Sequence, residues 1–109
     1  MEIQQKDGVT VISTDERLDA LAAPKLKEAV KKMSEESAAK LVIDLAKTKF
    51  IDSSGCGALV ASLRTLLKNQ GDLKIARPSP QAQTLFQLTR LHRVFEIYDN
   101  LDAAIGSFQ

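Results

Sequence analysis

The run Lys40-Leu41-Val42-Ile43-Asp44-Leu45 is apolar at four of six successive positions, and its apolar residues do not alternate with polar ones. A strand of this kind is buried on both faces, so helices must cover it from both sides. Helical patterns flank it. Pro24 suits a helix's first turn, and Leu26, Ala29, Val30 and Met33 follow at helical spacing, with Lys25, Lys27, Glu28, Lys31, Lys32, Glu35 and Glu36 on the solvated side. Beyond the strand, Cys56, Leu59, Val60, Leu63, Leu66 and Leu67 define one broad apolar helix face, with Ala58, Ala61, Ser62 and Thr65 as a neighbouring stripe of small residues. Gln70-Gly71-Asp72 closes that helix and Leu73-Lys74-Ile75-Ala76 starts another strand. Ser79-Pro80 opens a third helix, with Ala82, Leu85, Phe86 and Thr89 inward. Phe95-Glu96-Ile97-Tyr98 alternates as a half-buried strand, and Asp99 or Asn100 caps a last helix that buries Leu101, Ala104, Ile105 and Phe108.

Strands and helices that alternate from residue 24 onward predict right-handed β-α-β crossovers and a mainly parallel sheet. Ile3 and Gln5, then Asp7-Gly8, then Val9-Thr10-Val11-Ile12-Ser13 predict a hairpin that adds an antiparallel edge. The expected fold is one α/β domain over residues 1–109, with about four helices, and this length supports a core without metal or disulfide staples.

Composition narrows the function. Fifteen basic against fourteen acidic residues, a net charge of +1, give no field for nucleic acid or an anionic membrane. The single cysteine forms no intrachain disulfide, which fits a reducing compartment, and no stretch approaches the ~20 apolar residues of a membrane span. The expectation is a cytoplasmic domain without membrane insertion. One His and one Cys do not make a zinc cluster, and no Gly-x-x-x-x-Gly-Lys segment is present. His92 lacks the setting of a catalytic base, and Cys56 lies on an apolar stripe, where a small buried side chain is the plain reading.

The segment Lys49-Phe50-Ile51-Asp52-Ser53-Ser54-Gly55-Cys56-Gly57 carries the functional signal. It sets two hydroxyls at a helix start, where unpartnered N–H groups and the macrodipole favour an anion. A phosphate on serine would bring about −1.5 to −2 units of charge there. Asp52 or Ser53 is also a natural N-cap, and the glycines keep bulk away from an approaching partner. Asp44 closes a buried strand at the carboxyl rim of the sheet, which makes it a candidate supporting acid near Ser54.

Asp52-Ser53-Ser54-Gly55 resembles the signature of the STAS domain family, specifically its single-domain anti-sigma factor antagonists. The resemblance extends over nearly the whole chain, through Leu18-Asp19-Ala20-Leu21-Ala22-Ala23-Pro24, Leu41-Val42-Ile43-Asp44-Leu45 and Leu91-His92-Arg93-Val94-Phe95-Glu96-Ile97-Tyr98. It implies a non-enzymatic, phosphorylation-switched binding module with Ser54 as phosphoacceptor and no cofactor. It further implies two partners: an anti-sigma factor that is also a serine kinase, and a metal-dependent serine phosphatase. Asp52, Ser53, Ser54 and Gly55, with the stripe Ala58, Ala61, Ser62 and Thr65, are the expected partner-binding residues. The alternative within the family is a subunit of a larger assembly, such as a lipid-transport ABC complex or a stress-sensing particle.

Overall fold

The computed structural model describes residues 1–109. Strands β1 (Glu2–Lys6) and β2 (Val9–Ser13) form the expected antiparallel hairpin. Asp7 and Gly8 both take positive φ, 53° and 79°, which is the two-residue turn whose twist matches paired strands. Then follow β3 (Arg17–Leu18), α1 (Ala23–Met33), β4 (Lys40–Asp44), β5 (Phe50–Ile51) and α2 (Ser53–Leu67). The chain ends with β6 (Asp72–Ala76), α3 (Pro80–Leu88), a 3₁₀ turn (Leu91–Arg93), β7 (Ile97–Tyr98) and α4 (Leu101–Gly106). The main sheet runs β1-β2-β4-β6-β7, antiparallel only at its first pair, and a separate two-strand sheet joins β3 to β5 in parallel.

The doubly apolar strand β4 lies at the centre of the sheet, where alternation divides the core. Leu41 and Ile43 point to one face with Ile12, Leu73 and Ile75, under Leu26 and Val30 of α1, Leu59, Leu63 and Leu66 of α2, and Phe86 of α3. Val42 points to the other face, with Val9, Val11 and Ala76, under Ala104 and Ile105 of α4. Nineteen buried residues form the first cluster and six the second, so the fold is held chiefly from the α1–α2–α3 side. On the thinner side Lys74 is buried. Its ammonium donates to Ser107 Oγ at 2.8 Å, pairs with Glu96 at 3.5 Å and stands 4.4 Å over the Phe108 ring. A buried ammonium needs such a full set of partners.

Three expectations require correction. Leu67 is 54% exposed, not part of the buried face of α2. Thr89 lies past the end of α3 and is exposed, its hydroxyl returned to the Leu85 carbonyl at 2.7 Å. The strand at Phe95 shrinks to Ile97–Tyr98, because the 3₁₀ turn ties the Val94 and Phe95 amides to the Leu91 carbonyl and Phe95 drops into the core. We expect Leu59→Ala, at a fully buried site, to cost about 2–5 kcal/mol. Leu67→Ala should fall within about 0.5 kcal/mol of the parent in urea unfolding. Equal losses would contradict this orientation of α2.

Candidate functional site

The first turn of α2 is built by three separate parts of the chain. Asp52, in extended backbone, caps it, accepting the Gly55 amide at 2.8 Å through Oδ1. The β3–β5 pair sets where the helix begins, since β5 ends one residue before the cap. The outer side of β5 is closed by a side chain: Gln81 of α3 accepts the Ile51 amide and donates to the Ile51 carbonyl, both at 2.9 Å. A primary amide thereby stands in for a neighbouring strand. On the other flank the Arg17 guanidinium lies 4.4 Å over the Phe50 ring and pairs with Asp19 at 3.3 Å.

Gly55 belongs to this framework, not to an open rim. A Cβ there would stand 2.1 Å from the Leu18 carbonyl oxygen and 2.9 Å from Ile51 Cγ2. Only glycine allows β3 to pass so close to the helix. Gly57 does have open space around it, so it is the glycine of the motif that faces solvent.

Ser53 and Ser54 are both exposed, one and two positions beyond the cap. Their amides belong to the first turn and have no intrahelical acceptor, so the tip of α2 offers donors and positive dipole to an anion. Asp52 is half-buried beside them. Cys56 is buried; burial pushes its thiol up and the Asp52 charge adds to the push, which disfavours the thiolate. His92 is exposed on the 3₁₀ turn, away from any strand start.

The small-residue stripe is corrected in part. Ala58 and Ser62 are 1% and 2% exposed, because this side of α2 packs along α1, and their side chains are closed to a partner. Ala61 and Thr65 remain half-buried. Asp44 is corrected too. Alternation along β4 gives it the parity of Val42, toward the α4 face of the sheet and away from α2. There it is 4% exposed and gripped by Arg77, with Nε at 3.0 Å, while Oδ1 accepts the Ala46 amide at 3.2 Å. It closes the sheet's carboxyl end rather than supporting Ser54.

Sequence reasoning overlooked the loop after β3. Asp19 accepts the Leu21 and Ala22 amides at 3.1 and 3.2 Å, and the Ala22 bond above all holds its carboxyl below the ordinary carboxylate range. The loop so shaped leaves Leu21 85% exposed, three residues past the Leu18 carbonyl that abuts Gly55. The available signal is the Asp itself just after β3, since Asp side chains accept backbone amides a few residues on and so seed turns.

The sequence profile of the STAS domain matches residues 1–104, and the chain belongs to this family. It is 32% identical over 98 residues to the anti-sigma-B factor antagonist of Listeria monocytogenes, covering 89% of this chain and 86% of that one. The crystal structure of an anti-sigma factor antagonist from Mycobacterium paratuberculosis superposes with a TM-score of 0.85 at 31% identity, over 97% of this chain and 90% of the other. The anti-sigma factor antagonist SpoIIAA of Bacillus shares the fold at 21% identity in both solved states. Its unphosphorylated form gives a TM-score of 0.84 over 98% and 94% of the two chains, and its phosphorylated form 0.77 over 99% and 98%.

Two predictions follow from this geometry. Gly55→Ala should destabilise by about 1–3 kcal/mol through overpacking, whereas Gly57→Ala should be neutral or stabilise by up to about 1 kcal/mol, as alanine does in an open helical position. Thermal unfolding of the two variants should move in opposite directions, and like shifts would refute the close approach of β3. For Asp19, whose folded pKa is depressed, the contribution to stability is present above the unfolded value of 3.8 and lost as pH falls through the lower folded value. The deficit of Asp19→Asn should therefore be full at neutral pH and shrink below about pH 4 in urea titrations. A pH-independent deficit would contradict the bonded carboxylate.

Proposed function

We propose that this protein is an anti-sigma factor antagonist, a binding module and not an enzyme, whose switch is the phosphorylation of Ser54. Residues 1–109 act as one STAS unit in this reading. The unmodified form binds an anti-sigma factor, which then releases its sigma factor. That anti-sigma factor is also the serine kinase that modifies Ser54 and so frees itself, and a metal-dependent serine phosphatase resets the switch. The observation that carries the reading is an exposed serine on the first turn of α2, two residues from the capping Asp52, on a helix otherwise locked into the core. The names of the Listeria and Mycobacterium relatives support the antagonist role, and the two solved states of SpoIIAA support a phosphorylated form of this fold.

The docking surface in this proposal comprises Ser53, Ser54 and Gly57 at the helix tip, with Asp52 beneath them, the exposed Leu21 on the adjoining loop, and Ala61 and Thr65 at its margin. A phosphate on Ser54 is tolerated in the free protein by the helix's positive end. In a complex the same phosphate loses water beside Asp52 and a close-fitting partner, so the cost falls on binding. A preference of about 3 kcal/mol for the unmodified form amounts to a factor of about 150 in affinity.

Phosphopeptide mapping after incubation with the partner kinase and ATP should place the phosphate on Ser54. Ser54→Ala should abolish incorporation, and Ser54→Asp should weaken binding of the anti-sigma factor, incompletely, because one carboxylate carries less charge than a phosphate. Incorporation at Ser53 that persists in Ser54→Ala would overturn the assignment. Undiminished affinity of the phosphorylated protein would overturn the switch.

A further inference from the structure

The outer edge of the main sheet at β1 is covered by no strand, and all five residues of β1 are exposed. We propose that this edge pairs with the same edge of a second copy of the chain, antiparallel about a two-fold axis at Gln4, and so joins the two five-stranded sheets into one.

The hairpin decides which backbone groups face outward. Its two-residue turn, with positive φ at Asp7 and Gly8, closes on a hydrogen-bonded Lys6–Val9 pair. Alternation along the ladder then turns the amides and carbonyls of Gln4 and Glu2 toward β2 as well, and those of Ile3 and Gln5 away from it. No turn, loop or cap bond engages the backbone of Ile3 or Gln5. Two copies antiparallel about Gln4 set Ile3 of each opposite Gln5 of the other, and each such pair exchanges both of its N–H···O bonds.

The side chains agree with that register. It places Glu2 opposite Lys6 of the second copy, twice by symmetry, at non-hydrogen-bonded positions, where Cα atoms lie about 4.5 Å apart and side chains come closest. Edge charges ordinarily discourage pairing, but Glu-Ile-Gln-Gln-Lys meets opposite charge at both ends when it faces itself reversed. Within one chain Glu2 pairs with Lys47 and Lys6 with Asp102, and all four side chains are more than half exposed, so these are weak bonds that do not compete strongly. Ile3 lies opposite Ile12, on the α1 face, and is 54% exposed beside a groove of about 590 Å³ that Met1, Ala29 and Met33 also line. In the pair the two Ile3 side chains become diagonal neighbours and cover apolar surface that a lone chain leaves wet. The assembly closes at two copies, because one strand serves both and the opposite edge, β7, is only two residues long.

None of the residues at the tip of α2 belongs to this surface, so the pairing and the proposed switch at Ser54 are tested apart. Sedimentation equilibrium of the full chain from about 10 µM to about 1 mM should show a reversible monomer–dimer equilibrium. Lys6→Glu alone and Glu2→Lys alone each set like charges opposite one another and should weaken the dimer at least about tenfold. An equimolar mixture of these two variants should recover the parent's affinity, because one then carries only acids at the two positions and the other only bases. Leu88→Ser, which removes an exposed apolar side chain on α3, should leave the equilibrium unchanged. A chain monomeric throughout this range, a dimer indifferent to either single reversal, a mixture no tighter than the single variants, or a dimer lost in Leu88→Ser would each overturn the proposal.

Discussion

The approach of the Leu18 carbonyl to Gly55 is the constraint on which the candidate site depends. Two residues of β3 and two of β5 make a sheet too small to stand alone. It persists because α2 starts directly under it and because Gln81 completes the open side of β5. Remove the glycine and β3 must withdraw. The start of α2, its Asp52 cap and the Asp19 turn all take their positions from that contact. The first turn of α2 is thus fixed from below by the core and from the side by β3, which leaves only its outer edge, Ser53, Ser54 and Gly57, for anything that arrives from solvent.

Packing energetics make the rest of α2 a poor candidate for movement. Leu59 and Leu66 are fully buried, and truncation of such residues costs several kcal/mol each, a large part of the 5–15 kcal/mol by which a domain is stable. One exception to good satisfaction sits on the same helix. A buried hydroxyl without a partner costs about 1–3 kcal/mol, and Ser62 carries that penalty at the α1 contact.

Much of this arrangement was legible in the sequence. The unbroken apolar run at Leu41–Ile43 announces a central strand, Asp7-Gly8 the hairpin of β1 and β2, and Ser79-Pro80 a helix start, while the helix-start signal leaves the cap of α2 open between Asp52 and Ser53, of which the structure uses Asp52. What escaped was set by tertiary geometry. Two-residue strands have no periodicity to detect. The Gln81 bridge joins residues thirty positions apart. The stripe Ala58, Ala61, Ser62 and Thr65 reads as surface in the sequence because small and lightly polar residues suit one, yet small residues equally suit the place where two helices approach closely. Near α1 the second reading wins for Ala58 and Ser62. The place of Asp44 at the strand's end suggests a role near Ser54, but a strand's end has two faces, and only the parity of its neighbours decides between them.

The division of α2 into an anchored body and an exposed tip constrains how any signal at Ser54 could work. Charge added at the tip meets the positive end of the helix dipole, an interaction worth at most about 2 kcal/mol and favourable in sign. Nothing in that balance releases Leu59 or Leu66, whose burial outweighs it. A conformational relay would need a second arrangement of the core comparable in energy, and close-packed interiors change between discrete packings, not by gradual yielding. The buried arc from Cys56 to Leu66 offers no slack of that kind, since its members lie in one cluster with the central strands. Under the proposed phosphorylation of Ser54, the simpler physics is a surface whose charge changes while its shape does not: the free protein would accommodate the anion, and the complex, which would have to strip it of water beside Asp52, would bear the cost.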